Sequence, residues 1–177
     1  SHLDSVSETH AQPDMEAVDL LDVAKDCVER QKLNAQRSFI SLTYLGESAR
    51  VLGNRDQLDE LCQNLCDNAI RYNRPGGKVQ LITSCTRDGH CTLTVKDNGI
   101  GIPKDAQSSV FERFYRVDKA RSRESGGTGL GLSIAREIVQ RHHGTITLAP
   151  HEGPGTTVRL ELPITQSVPE TSGRSVQ

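Results

Sequence analysis

The chain has 177 residues and a mass of 19.4 kDa, enough for one compact domain with a hydrophobic core. Its 21 basic and 23 acidic residues give a formal net charge of -2, which argues against a nucleic-acid-binding protein. The chain has no apolar run long enough to cross a bilayer and no secretory leader at its start, so we expect a soluble domain.

The five cysteines are an odd number and include no CxxC pair, which argues against a disulfide framework and favours a reducing compartment. Cys62 and Cys66 lie four residues apart on a predicted helix and could in principle bind a metal together. Both fall inside the apolar stripe of that helix, so we interpret them as two small buried hydrophobic residues.

The first half of the chain begins with a polar, aperiodic stretch, which predicts a linker over residues 1–17. Apolar periodicity then predicts the following elements, in chain order: a helix from Val18 to about Gln36, a strand over 39–45, an extended piece over 51–53 and a helix over 55–72. Asn54 is the predicted N-cap of the last helix, with Gln57 three residues on.

The second half reads as a hairpin, a helix and a second pair of strands. The predicted elements are strands over 78–86 and 90–97 joined through Asp88-Gly89, a short helical stretch near 104–110, a helix over 129–143, and strands over 145–149 and 156–162. After Pro163 we expect a disordered tail over 164–177, which leaves a folded domain over 18–163. Together the elements predict an α+β two-layer sandwich, with a mixed sheet and helices on one face.

The polar side of helix 55–72 presents Glu60, Asn64, Asn68 and Arg71 as one stripe. Asn68 follows the core position Leu61 by seven residues, so it should lie at the rim of the buried face. A solvated face explains the stripe equally well if the helix is taken alone. The functional interpretation is that two amide oxygens at a pocket edge ligate a hard cation such as Mg²⁺.

Cys91, Leu93, Val95 and Asp97 are alternate residues of one predicted strand, so their side chains lie on the same face. Because the first three are apolar, we expect Asp97 to face the core as well. A carboxylate placed there needs hydrogen-bond donors, because burial is costly. Gly99 and Gly101 follow at once and let a ligand approach the backbone closely. A receptor for an exocyclic amine such as that of adenine is one interpretation, and an ordinary turn at the end of a strand is the other.

Glycines recur at the start of the last predicted helix, in Gly127-Thr128-Gly129-Leu130-Gly131. Backbone N–H groups and the positive end of a helix attract phosphate at such a position. The preceding segment, 111–124, interleaves mainly basic side chains with three of the chain's six aromatic residues. It predicts either a solvated loop or a mobile lid over a triphosphate.

These pieces, in this order, resemble the nucleotide-binding catalytic domain of sensor histidine kinases, within the superfamily shared with gyrase, heat-shock chaperone and mismatch-repair ATPases. The segments that carry the resemblance are QNLCDNAIRY (63–72), DNGIGIP (97–103), VFERFYRVDKARSR (110–123) and GGTGLGLSIAREIV (126–139). The resemblance implies a Bergerat-type fold, in which ATP lies between the helices covering a mixed five-stranded sheet and a flexible lid.

The resemblance also implies roles for individual residues. Asn68 would be the principal Mg²⁺ ligand, with support from Asn64, and Tyr72 would stack on the adenine whose amine Asp97 accepts. Asn64 is a catalytic candidate as well, and so is Glu60, which lies one turn further back on the same helix stripe and could assist proton movement. The other implied nucleotide-binding residues are Arg71, Gly99, Gly101, Ile102, Tyr115, Arg116, Lys119, Gly127, Thr128, Gly129, Leu130 and Gly131.

No histidine in this chain has the context of a phosphoacceptor, because His2 and His10 lie in HLDSV and HAQPD and the others lie within or after the nucleotide motifs. We therefore expect a protein-histidine kinase domain, monomeric in isolation, that binds ATP but does not autophosphorylate alone. The resemblance implies a phosphoacceptor/dimerisation domain and a response regulator as partners in two-component signal transduction. It further implies a cytoplasmic location in a homodimeric parent protein anchored in the bacterial membrane.

Two alternatives from the same superfamily stay open. One is an ATP-hydrolysing conformational switch, in which relatives place a glutamate base one turn before the magnesium asparagine, where this chain has Asn64. The other is a serine kinase of the anti-sigma type. The FERFYR segment favours the histidine kinase branch.

Overall fold

The computed structural model describes residues 14–112 and 132–164. Within these ranges the chain forms seven strands and three α-helices. In chain order they are β1 (Glu16–Asp19), α1 (Leu20–Arg37), β2 (Ser41–Gly46), β3 (Arg50–Gly53), α2 (Arg55–Arg71), β4 (Lys78–Cys85), β5 (His90–Asp97), α3 (Leu132–Arg141), β6 (Thr145–Leu148) and β7 (Thr156–Pro163). A single 3₁₀ turn, Lys104–Ala106, follows β5.

Five of the described strands form one mixed sheet in the order β2-β4-β5-β7-β6. β2 runs parallel to β4, and the other neighbours are antiparallel. The helices cover one face of this sheet, and their apolar stripes join alternate residues of β4, β5 and β7 in a single core. The predicted α+β two-layer sandwich with a mixed five-stranded sheet is confirmed.

α2 is the central helix and carries the polar stripe at the site. Its N-cap is Asn54, whose side-chain oxygen accepts a hydrogen bond from the Gln57 N–H at 2.9 Å, as the capping pattern predicts. Its apolar stripe is fully packed, and the buried members are Leu58, Leu61, Cys62, Leu65, Cys66, Ala69 and Ile70. Burial of both cysteines in this stripe fits their interpretation as small hydrophobic residues.

The predicted helix start at Val18 is wrong, because Glu16–Asp19 forms a strand instead. This strand pairs antiparallel with β3 in a separate two-stranded sheet. Asp19 ends the strand and caps α1, accepting from the Leu21 N–H at 3.0 Å and the Ala49 N–H at 2.8 Å. The domain limits at 18 and 163 stay predictions, although β1 begins before the first limit and Ile164 bridges Val51 beyond the second.

Other element boundaries also differ from the predicted ones, and one cannot be compared. The strand predicted from residue 39 begins at Ser41, because Phe39 has a φ of 58° that no extended strand accommodates. The helical stretch predicted near 104–110 is only the 3₁₀ turn of three residues. The last helix is described from Leu132, so its predicted first turn lies outside the described residues. No helix in the described ranges is long and apolar enough to cross a membrane.

Candidate functional site

A cavity opens between α2 and the end of the sheet where β5 and β7 pair. It encloses about 520 Å³ of empty space, open solvent at its mouth included. Most of its wall is apolar, and it is lined by Leu65, Asn68, Ala69, Tyr72, Val95, Asp97, Ile100, Gly101, Ile102, Leu132, Thr156 and Val158. An apolar cleft with a few convergent polar groups is typical of a small-molecule site.

Asp97 is the charged side chain among the described residues that line this cavity. It stands at the end of β5 on the core face, and its Oδ1 accepts from the Gly99 N–H at 2.9 Å and the Thr156 N–H at 3.2 Å. Burial raises the pKa of the Asp97 carboxyl, and these two hydrogen bonds oppose that rise. Among the described residues Oδ2 accepts no hydrogen bond, so it can accept one from a ligand.

The turn after β5 packs directly against the end of α2. The Ile100 N–H donates to the Tyr72 carbonyl at 3.1 Å. A Cβ at Gly99 would lie 2.5 Å from that same carbonyl oxygen, which is closer than real contacts allow. Gly101 lines the cavity and has a φ of 77°, a conformation that favours glycine. The glycines therefore let the turn approach the helix end, as their spacing predicts.

Asn68 supplies the second polar group. Its Nδ2 is buried and has no hydrogen-bond partner among the described residues, although the side chain lines the cavity. A buried, unpaired amide is costly unless a ligand or water satisfies it. A half-turn of the carboxamide exchanges Nδ2 and Oδ1, so the same place can present an oxygen to a cation or a donor to an anion.

Among the described residues that line the cavity, the Asn68 amide is the group that fits a magnesium ligand beside the nucleotide phosphates. The described part of the chain holds no group of three His, Cys, Asp or Glu side chains placed to bind a metal. Mg²⁺ needs only one or two protein ligands when phosphate and water oxygens complete its shell. Asn68 would hold the ion, and the bound ion would neutralise phosphate charge.

Other predicted residues lie away from the cavity. Asn64 is half-buried and Glu60 is exposed, and neither lines it. Arg71 forms an ion pair with Asp67 at 2.9 Å and lines a different groove, between the C-terminal ends of α1 and α2. The structure therefore brings together Asn68, Tyr72, Asp97, Gly101 and Ile102 around the cavity. Gly99 does not line the cavity, but its N–H donates a hydrogen bond to Asp97.

Eight predicted nucleotide-binding residues lie outside the described residues. They are Tyr115, Arg116, Lys119, Gly127, Thr128, Gly129, Leu130 and Gly131. The predicted lid and phosphate-binding glycines are among them.

Sequence reasoning missed Thr156, which stands directly opposite Asp97 in the β5–β7 register and both lines the cavity and donates to the carboxylate. The local signal was a glycine-rich turn, Gly153-Pro154-Gly155, just before it. That signal predicts a hairpin, but not that β7 returns beside β5.

Comparison with known proteins gives one family. The profile of the histidine kinase-, DNA gyrase B- and HSP90-like ATPases matches residues 53–166, more than half of the chain. The chain is 45% identical over 152 residues to the sensor-like histidine kinase SenX3 of Mycolicibacterium smegmatis, covering 85% of this chain and 39% of that protein. It is 46% identical over 110 residues to the sensor histidine kinase WalK of Bacillus subtilis, covering 62% of this chain and 18% of that protein.

Among solved structures, the mycobacterial sensor histidine kinase MprB matches with a TM-score of 0.73 and 31% identity, covering 86% of this chain and 99% of that one. The chain thus spans well under half the length of the curated relatives, and it matches nearly all of the MprB chain. The predicted resemblance is confirmed: this chain belongs to the histidine kinase-, DNA gyrase B- and HSP90-like ATPase family, as an ATP-binding catalytic domain of the sensor histidine kinase type.

Proposed function

We propose that the cavity between α2 and the β5–β7 edge binds Mg-ATP, and that the domain passes the γ-phosphoryl group to a histidine on a separate phosphoacceptor domain. The observation that carries this proposal is the meeting of two polar groups in one apolar cleft. Within the described ranges, Asp97 offers a carboxylate oxygen that accepts no hydrogen bond, and Asn68 offers a buried amide nitrogen that has no partner. A purine amine and a metal-bound phosphate are complementary to these two groups.

Different residues of the cavity would bind the base, orient the nucleotide and hold the phosphates. The apolar wall, which includes Ile102 and Tyr72, takes the flat faces of the base and excludes water from it. Asp97 accepts the exocyclic amine and so orients the nucleotide, while Asn68 holds the end that carries the phosphates. Phosphoryl transfer depends mainly on such positioning and on charge neutralisation.

The proposal does not require a general base within this cavity. The helical position one turn before Asn68 is the neutral Asn64, and the acid on the same stripe, Glu60, is exposed outside the cavity. A hydrolytic switch needs a base beside the attacking water, so this arrangement disfavours that alternative. We keep a supporting role near the phosphates for Asn64 as a prediction.

The phosphoacceptor histidine and the later phosphoryl transfer involve segments and partners beyond this domain. The sensor histidine kinase relatives are more than twice as long as their match to this chain. We propose that the parent protein carries the phosphoacceptor histidine in a dimerising domain and that a response regulator then receives the phosphoryl group. The predicted cytoplasmic location, the membrane anchor and the monomeric state of the isolated domain stay predictions.

A transfer assay tests the proposal. The domain is incubated with ATP labelled at the γ-phosphate, with and without dimerising hairpin domains of sensor histidine kinases. We expect label on the hairpin histidine only when both proteins are present, and none on this domain alone. The matched control is a hairpin whose phosphoacceptor histidine is replaced by alanine. Label appearing only as free phosphate, with or without the hairpin, would contradict the proposal.

A further inference from the structure

Two cysteines face each other across the β4–β5 hairpin, at the end of the sheet remote from the cavity. Cys85 and Cys91 are direct partners in the antiparallel register. The next pair toward the turn is hydrogen-bonded, since the Thr86 N–H donates to the His90 carbonyl at 2.7 Å. The Cys85 N–H points away from β5 and donates to Glu47 Oε2 at 3.1 Å. Cys85 and Cys91 are therefore a non-hydrogen-bonded pair, because the two kinds of pair alternate.

This kind of pair has the geometry that a disulfide needs. In non-hydrogen-bonded pairs the Cα atoms lie about 4.5 Å apart, within the range of about 4.4 to 6.8 Å seen across disulfides. Both side chains stand on the same face of the sheet, and their thiols point at neighbouring carbonyls. Cys85 Sγ donates to the Ser48 carbonyl and Cys91 Sγ to the Arg50 carbonyl, each at 3.7 Å.

The two thiols differ in access. Cys85 is exposed, whereas Cys91 is completely buried. Burial, followed by a hydrogen bond with the Cys85 thiol, raises the pKa of Cys91 to about 12. The thiolate is the form that reacts with peroxide, and Cys91 is both buried and hard to deprotonate. Cys85 is therefore the thiol that reacts first with an oxidant in solution.

We propose that Cys85 and Cys91 form an oxidative modification site, in which a peroxide converts the two thiols to a cross-strand disulfide. The Cys85 sulfur attacks one oxygen of hydrogen peroxide, the O–O bond breaks, and a sulfenic acid and one water result. The Cys91 sulfur then attacks the Cys85 sulfur, the S–OH bond breaks, and the hydroxyl leaves as water with the Cys91 proton. In sum, two thiols are oxidised and one peroxide is reduced to two waters.

The site is separate from the proposed nucleotide cavity. Cys91 begins the core-facing row of β5 and Asp97 ends it, so about 20 Å of strand lies between them. The other three cysteines, Cys27, Cys62 and Cys66, are buried in the core around α1 and α2. They serve as internal controls, because peroxide in solution has no direct access to them.

Peptide mapping of the folded domain tests the proposal. The protein is treated with hydrogen peroxide, unfolded, alkylated and digested with trypsin. Cleavage after Arg87 places Cys85 and Cys91 on different peptides, so only a disulfide keeps those peptides together. We expect the linked pair in the oxidised protein, a mass lower by two hydrogens, and a loss of two of the five alkylated thiols. Dithiothreitol should restore all five.

The Cys85→Ser variant is the matched control, since this exposed position tolerates the change, and it should keep four alkylated thiols after peroxide. Cys91→Ala should leave Cys85 as a sulfenic or sulfinic acid without an internal link. Absence of the 85–91 link in the oxidised wild type would overturn the proposal. A link among the three core cysteines, or between two chains through Cys85, would overturn it equally.

Discussion

Asp97 and Asn68 line the same cavity, but they differ in charge and in how far their hydrogen-bonding groups are already satisfied. The Asp97 carboxylate already accepts two backbone N–H groups on one oxygen, while the Asn68 amide nitrogen has no partner in the ranges 14–112 and 132–164. The two hydrogen bonds offset only part of the cost of burying the Asp97 charge, and one atom of the Asn68 amide is unsatisfied within the described part of the chain. We therefore expect substitutions at these positions to affect ligand binding and stability to different extents.

Asp97→Asn should weaken ATP binding about tenfold to a hundredfold, because an amide replaces a charged acceptor of the adenine amine. Stability should change by no more than about 1 kcal/mol, since the new amide oxygen still accepts from Gly99 and Thr156. Calorimetric titration and urea denaturation measure the two quantities. Asp88→Asn, the same change at the exposed hairpin tip, should leave ATP affinity as it is. Wild-type affinity in Asp97→Asn would remove the proposed adenine contact.

ATP affinity should also depend on the ionisation of Asp97. Its pKa is raised above the ordinary 3.8, with burial as the main cause. The carboxylate is the form that accepts the amine, so affinity should fall as pH decreases through this raised pKa. Because the pKa of Asp97 is higher in the folded state than in the unfolded state, the buried charge lowers the free energy of unfolding above the folded pKa. Protonation of Asp97 removes this destabilisation as pH falls through the folded pKa toward 3.8. A titration series toward acid pH that shows constant affinity would contradict the assignment.

Asn68→Ala should lower Mg²⁺-dependent ATP affinity about tenfold or more, which is about 1.4 kcal/mol. Truncation removes a polar atom that has no partner among the described residues, so the free energy of unfolding should fall by less than about 1 kcal/mol. Titrations with and without Mg²⁺ separate the metal-dependent part. Asn64→Ala, one turn earlier and outside the cavity, is the matched control and should have the smaller effect. An equal loss at both positions would contradict the placement.

At the scale of elements, the site depends on the junction between the end of α2 and the turn after β5. The Ile100 N–H donates to the Tyr72 carbonyl, and the buried Asn73 side chain donates to the Lys78 carbonyl at 3.2 Å. The Asn98 Oδ1 in turn accepts from the Lys78 N–H at 2.7 Å. These hydrogen bonds hold the helix that carries Asn68 against the turn that follows Asp97.

Gly99→Ala should separate this junction, because its Cβ would lie 2.5 Å from the Tyr72 carbonyl oxygen and 3.0 Å from the Asn73 Cα. We expect a loss of stability of about 1 to 3 kcal/mol together with weaker ATP binding. Urea denaturation and titration with ATP measure both effects. Gly76→Ala has open space around its Cβ and only a strained φ of 89°, so it should lose stability while ATP affinity stays unchanged. Unchanged ATP affinity in Gly99→Ala would show that the junction does not position the site.

At the scale of the whole molecule, His142 ties the C-terminal part of the domain to the start of α2. It is 1% exposed, its Nε2 accepts from the Asn54 N–H at 3.0 Å, and its Nδ1 lies 2.8 Å from the Ile138 carbonyl. The ring is therefore neutral, with its proton on Nδ1. Burial is the main cause that lowers the pKa of His142, and His143 and Arg141 lower it further.

A lowered pKa in the folded state makes stability depend on pH. The contribution of neutral His142 is fully present above the unfolded value of 6.5 and is lost as pH falls from there toward the lower folded pKa. His142→Phe should be about 1 to 3 kcal/mol less stable at neutral pH, because it leaves the Asn54 N–H without its acceptor, and its stability should fall less steeply below pH 6.5. Urea denaturation across this range measures both.

His143→Asn is the control for this pH dependence. His143 is exposed and has a φ of 63°, a conformation that asparagine tolerates. Its pH profile should stay close to that of the wild type, because burial, the main cause of the lowered His142 pKa, is unchanged and only the smaller contribution of His143 is lost. If His142→Phe keeps the full acid slope of the wild type, another group controls the stability in this range.

The sequence by itself determined the local elements and the polar residues placed upon them. The apolar period predicted α2, its cap at Asn54 and the parity that turns Asp97 inward, because each depends on neighbours within a few residues. It did not predict β1, since strand pairing with β3 overrides a helix-like run at residues 18–19. The motifs that carry the family resemblance likewise lie within short segments, so they could be recognised without the fold.

Only the tertiary structure decided which of these groups share a cavity. β7 returns between β5 and β6, and this places Thr156 beside Asp97, a contact 59 residues apart in the chain. The same packing brings Asn68 into the cavity while Arg71, three residues later, turns to a groove beside α1. Periodicity encodes how deeply a residue is buried, but the neighbours it is buried with depend on strand order and helix packing, which are non-local.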